Sequence, residues 1–143
     1  KEEFTMGKII ATIQVKNLKD ELLASEGYLA PAQIRSIETE AIADSGATRL
    51  CLKKSLIEQL DLPLLGERKA RTTNGVVTRK IYRGAHLFLM GRDTDVIVSE
   101  VPDDCANLIG QIPLEDLDFV LDLRRQQIIP NPEHGGEWQD EEY

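Results

Sequence analysis

The chain has 143 residues, enough for one compact domain that buries a core without a disulfide, a metal or a second domain. Its 25 acidic residues against 17 basic ones give a formal charge of −8, and aromatic residues make up only 5%, which argues against a nucleic-acid surface built on a basic face and stacking rings. The pairs Lys53-Lys54, Arg68-Lys69, Arg79-Lys80 and Arg124-Arg125 each have carboxylates nearby in sequence and read as solvated surface. No apolar run approaches the roughly 20 residues that span a bilayer, so no membrane partner is expected. Cys51 and Cys105 lack a CxxC spacing and read as small packing residues, and a cytoplasmic location is expected. Lys1 to Thr5 are read as a tag remnant outside the fold.

Lys8 to Val15 is rich in β-branched residues and predicts a first strand. Residues 17–34, mostly polar with Gly27 and Pro31, are expected as an irregular insertion. Ile37 to Ala43 alternates apolar and polar and delivers the chain to the turn-forming tripeptide Asp44-Ser45-Gly46. Arg49 to Leu52 predicts a short strand and Ser55 to Leu60 a short helix that stops before Pro63. Between Arg71 and Tyr82, Asn74-Gly75 supplies the two positive-φ positions of a type I′ hairpin. Gly84 to Met90 and Asp95 to Val101 are two further strands, and Leu108-Ile109-Gly110 leads to a short helix over Pro113 to Leu117. Phe119 to Leu123 and Gln127 to Ile129 form a last hairpin. The segment 133–143 is acidic, contains Gly135-Gly136 and is expected to be a mobile tail.

Many short strands with one or two short helices and no βαβ rhythm predict an all-β, closed or sandwich-like architecture. Within it, Asp44-Ser45-Gly46 is the tripeptide that carries chemistry. By composition alone Asp-[Ser/Thr]-Gly would arise in roughly one such chain in twenty. Here an alternating strand enters it, Ala47-Thr48 leaves it, an Asn-Gly hairpin follows, and an apolar-apolar-Gly comes after the central strands. His86 and His134 have no metal-ligand spacing to any cysteine or carboxylate, so neither a metal nor a cofactor is expected.

In these segments the chain resembles the retropepsin-like aspartic proteases, and within that clan the small bacterial ones. The resemblance rests on Ile42-Ala43-Asp44-Ser45-Gly46-Ala47-Thr48, on Thr73-Asn74-Gly75-Val76, on Leu108-Ile109-Gly110-Gln111, and on Leu121-Asp122-Leu123 with Ile129-Pro130-Asn131-Pro132. It implies a closed β-barrel over residues 6–132 and an aspartic endopeptidase. The chemistry needs two carboxylates sharing a proton, one ionised to activate water and one protonated to polarise the scissile carbonyl. This chain has a single Asp-[Ser/Thr]-Gly, so the second carboxylate is expected from Asp44 of a second copy on a two-fold axis. The resemblance further implies that Ser45 braces the two turns, that Gly46 lets backbone approach the carboxylates, and that Asn74, Gly75 and Val76 cap a flap over a polypeptide substrate. The alternative is a catalytically inactive module of the same fold that binds proteins.

Overall fold

The computed structural model describes residues 8–142; residues 1–5, read above as a tag remnant, lie outside the described residues. The chain is mostly strand: β1 (Ile9–Asn17), β2 (Ser36–Ala43), β3 (Leu50–Lys53), β4 (Leu64–Thr72), β5 (Gly75–Leu89), β6 (Arg92–Val101), β7 (Leu108–Ile109), β8 (Phe119–Asp122) and β9 (Gln127–Pro130). Three short helices join them, α1 (Leu18–Ser25), α2 (Lys54–Leu60) and α3 (Gln111–Asp116), with 3-10 turns at Pro31–Gln33 and Pro132–His134. Strands β1 to β7 form one sheet in the order β1-β2-β7-β3-β6-β5-β4, and β1 also pairs with β5 through Gln14↔Phe88 to Asn17↔Ala85. Strands β8 and β9 make a separate antiparallel pair.

Alternation of side chains along each strand directs Ile9, Ile13, Val15, Leu50, Leu52, Leu87, Val98 and Ile109 into a single core. Helix α2 adds Ile57 and Leu60, and α3 adds Leu114, so each short helix is held by one buried face rather than by its own propensity.

The expectation of one or two helices is corrected by α1, which occupies the first part of the segment read as an irregular insertion. Its start is written locally. Asn17 caps the helix by accepting from the Asp20 amide at 2.9 Å, and its own Nδ2 donates to the Leu60 carbonyl at 2.7 Å, tying the helix to the end of α2. Asp20 then accepts a two-pronged bond from the Arg35 guanidinium, at 2.9 Å on each oxygen, as well as the Arg35 amide. Those bonds hold the Asp20 carboxyl below its usual range. Gly27 and Pro31 fall after the helix, so they end it rather than prevent it.

Two strand boundaries also differ from expectation. The segments read as the hairpin's second limb and as Gly84 to Met90 are one continuous strand, β5, with a bulge where Tyr82 pairs with Val98 but Ala85 pairs with Val96. The hairpin between β4 and β5 is present, yet it is not type I′. Thr72 pairs with Gly75, leaving Thr73-Asn74 as the connecting residues, and of these positions only Gly75 has positive φ, at 108°.

The segment read as a tail runs along the β8–β9 end of the molecule. Arg92 donates to the carbonyls of Leu117 (2.7 Å) and Gly136 (3.0 Å), Trp138 Nε1 donates to the Asp116 carbonyl (3.0 Å), and His134 bonds Asp118 at 2.6 Å.

His86 on β5 lies between Glu21 of α1 and Asp93 of β6, at 2.7 Å from each. Burial opposes its protonation, but the two carboxylates outweigh burial and raise its pKa above the ordinary 6.5. The stability this bridge contributes is therefore complete below about pH 6.5 and is lost as pH rises through the raised value. Urea midpoints at about pH 5.5 and about pH 8.5 should differ less in His86→Asn than in the wild type, with the variant's deficit largest at the acidic end.

Candidate active site

The site is the connection between β2 and β3, residues 44–49, and it is positioned by the two-residue strand β7. That strand inserts between β2, which it pairs in parallel through Ile42↔Leu108 and Ala43↔Ile109, and β3, which it pairs antiparallel through Leu50↔Ile109 and Cys51↔Leu108. The Asp44 amide continues the β2–β7 ladder by donating to the Ile109 carbonyl at 2.9 Å. The chain then turns, with the Ala47 amide donating to the Asp44 carbonyl at 3.0 Å.

The start of α3 closes on the same loop. Amides of Gly110, Gln111 and Ile112 donate to the carbonyls of Arg49 (3.1 Å), Ala47 (2.8 Å) and Thr48 (3.0 Å). Residues 47–49 therefore have their carbonyls satisfied by consecutive amides of one segment. This fit requires a glycine: a Cβ on Gly110 would stand 2.5 Å from the Arg49 carbonyl oxygen, 2.7 Å from the Ala47 carbonyl oxygen and 2.7 Å from the Arg49 nitrogen. The obstacle is steric, because φ −87°, ψ −172° is extended backbone open to any residue.

Asn107, which the sequence reading passed over, braces the loop from the other side. It is buried, accepts the Lys53 amide at 2.9 Å and donates to the Glu40 carbonyl at 3.0 Å, linking the outer ends of β2 and β3. Its one sequence signal was a polar residue directly before the apolar pair Leu108-Ile109, and only the fold gives it three strands to join.

Asp44 is half-buried. Its Oδ1 accepts the Gly46 amide at 2.8 Å, and its Oδ2 has no hydrogen-bond partner among the described residues. A Cβ at position 46 would approach that same Oδ1 to 3.1 Å. Ser45 is exposed and its hydroxyl is likewise without a partner among the described residues. The arrangement is a carboxylate fixed in orientation by one oxygen and open on the other.

Beside the loop is a cavity of about 520 Å³ walled by Gly46, Ala47 and Thr48 on one side and by the inner face of the β4–β5 hairpin, including Ala70, Thr72 and Ile81, on the other. Arg68, Lys69 and Arg79 also line it; Arg68, Lys69 and Lys80 are exposed, as read from the sequence, and Arg79 is half-buried. Cys51 forms part of the floor. Burial first, and then the Asp44 charge, push its thiol up to about 11 against the opposing pull of Arg79, so it is a poor nucleophile. Asn74, Gly75 and Val76 lie at the exposed hairpin tip, beyond the cavity wall, which ends at Thr72. No hydrogen bond among the described residues joins that tip to Asp44.

Residues 30–112 match the family model described as aspartyl protease, more than half of the chain. The chain belongs to the aspartyl protease family. The matched stretch takes in the Asp44 loop, the hairpin and Gly110, and it stops at the first turn of α3. No curated protein matches the chain. No described helix is long and apolar enough to cross a membrane.

Because the methyl group of Gly110→Ala would meet backbone atoms that cannot rotate away, the substitution should destabilise the fold by about 1–3 kcal/mol. Urea unfolding measures this, and Gly46→Ala, whose methyl meets only a side-chain oxygen, should cost less.

Proposed function

We propose that the chain is one half of a homodimeric aspartic endopeptidase in which Asp44 and its symmetry copy activate a water molecule against a peptide bond. The observation that carries this reading is the state of Asp44: one oxygen held by the Gly46 amide, the other open, on a loop supported by amides of residues 110–112. With one Asp-[Ser/Thr]-Gly in the sequence, a second copy is the source of the second carboxylate. The exposed Ser45 hydroxyl is then free to bond across the axis.

In the dimer the ionised carboxylate takes a proton from water while the protonated one donates to the scissile carbonyl oxygen. Water oxygen bonds to the carbonyl carbon to give a gem-diol. As its carbon–nitrogen bond breaks, the carboxyl that took water's proton passes it to the departing amine, and a gem-diol hydroxyl returns its proton to the other carboxylate as the new carboxylic acid forms, which restores the singly protonated pair. The β4–β5 hairpin acts as the flap: its tip, Asn74, Gly75 and Val76, closes over an extended polypeptide and excludes water. Val76 is 60% exposed at that tip, a large apolar side chain left for substrate or partner to cover. The circuit of pairings from β1 through β2, β7, β3, β6 and β5 back to β1 is read as the closed barrel of this fold, with the domain spanning residues 6–132 and residues 133–143 appended to it.

Asp44→Asn should lower cleavage of a diverse peptide library by about 10²–10⁴-fold or more across acid to neutral pH. Wild-type activity per chain should also fall on dilution as dimers dissociate, followed by sedimentation at the same concentrations. Cleavage unaffected by the substitution would overturn the mechanism.

A further inference from the structure

The cavity beside Asp44 is strongly cationic within an acidic protein. Arg49, Arg68 and Arg79 line it, together with Lys69 and Arg71 at β4 positions whose side chains alternate to the other face of the hairpin, and no aspartate or glutamate does among the described residues, although the chain carries 25 acidic residues against 17 basic. Two of these cations stand in an arrangement that the fold itself does not neutralise. Arg68 on β4 and Arg79 on β5 are direct partners in the ladder, so both side chains project from the same face of the hairpin. That face is the inner one. Ile81, two residues from Arg79, is 2% exposed, and Ala70, Thr72 and Val77 on the same face are half-buried.

Like charges directly opposite on a ladder destabilise it. A structural remedy would be a carboxylate bridging the pair, yet no ion pair or hydrogen bond engages either guanidinium among the described residues. The nearby carboxylates are otherwise placed. Glu67 is opposite Lys80 on the outer face, Glu100 accepts from the Tyr82 hydroxyl at 2.8 Å, and Asp44 Oδ1 accepts from Gly46. Asp44 does not itself line the cavity, but its neighbours Gly46, Ala47 and Thr48 do, and Cys51 on the cavity wall feels the charges of both Arg79 and Asp44, so the hairpin arginines border the cavity next to the Asp44 loop.

We propose that Arg68 and Arg79 form a carboxylate-binding subsite that selects polypeptide substrates carrying aspartate or glutamate next to the scissile bond. The inference rests on the peptidase reading and names its substrate class. Planar guanidiniums accept a carboxylate through paired hydrogen bonds, and a cross-strand pair offers two such forks to one anion, relieving their mutual repulsion as it binds. An extended peptide lying along the hairpin presents alternate side chains to it, so acidic residues two apart reach the same wall.

The test uses fluorescein-labelled extended peptides that share a Leu-Phe centre and differ only in flanking Glu, Gln or Lys. Binding to the Asp44→Asn protein is read by anisotropy, and cleavage by the wild type is read in parallel. The Glu peptide should bind at least about tenfold more tightly than the Gln peptide, an advantage that shrinks with salt. Arg68→Gln and Arg79→Gln should each abolish that advantage while leaving the thermal midpoint unchanged or raised, since each removes a like-charge contact. Equal binding of Glu and Gln peptides, or a preference that survives both substitutions, would overturn the subsite. Tighter arginine-dependent binding of a single-stranded oligonucleotide would also overturn it, in favour of general polyanion binding. A glutamate preference in binding without cleavage would support the subsite and count against the peptidase; cleavage with no charge preference would do the reverse.

Discussion

The close approach of Gly110 to the backbone of residues 47 and 49 is the contact on which the site depends. It lets three consecutive amides at the start of α3 serve the three carbonyls of the Asp44 loop, and it lets β7 slip between β2 and β3. Without it the loop would have to satisfy those carbonyls with water, and the carboxylate would be carried on a flexible connection. With it, the loop that carries Asp44 is held in one geometry by backbone hydrogen bonds.

Charge is distributed with the same division of labour. Several carboxylates away from the cavity are engaged by nearby cations: Asp20 and Asp61 by Arg35, Glu21 and Asp93 by His86, Asp118 by His134. These contacts tie the first helix, the bulged strand and the last segment to the body of the sheet. The arginines on the inner face of the hairpin have no such partner among the described residues, and they line the cavity beside the Asp44 loop. An acidic protein thus presents arginines without carboxylate partners beside the Asp44 loop.

Helix α1 and the segment after Pro132 frame the sheet without entering the cavity. Asn17 links α1 to α2 through the Leu60 carbonyl, and Arg92 gathers the carbonyls of Leu117, Asp118 and Gly136 while stacking over the Phe119 ring at 4.6 Å. Both are polar fastenings with their partners satisfied, so they add specificity of docking where little apolar surface is available.

Local pattern in the sequence determined much of this protein: the alternating strand that enters Asp44, the tripeptide turn itself, and the short helix after β3. Each depends on residues close together in the chain, where periodicity and turn chemistry act. The Asn17 cap of α1 was also written locally, but the glycine and proline that follow masked it. Other features depended on partners distant in sequence. The 15-residue strand β5 passes through Gly84 because β6 supplies a ladder with a bulge there. Asn107 became a brace because the fold gave it Lys53 and Glu40. Arg68 and Arg79, alike in sequence to any solvated pair, became one cationic wall because antiparallel pairing sets them opposite each other. A side chain's neighbours along the chain decide its local conformation; its neighbours across the sheet decide which charges meet, and those only the tertiary structure specifies.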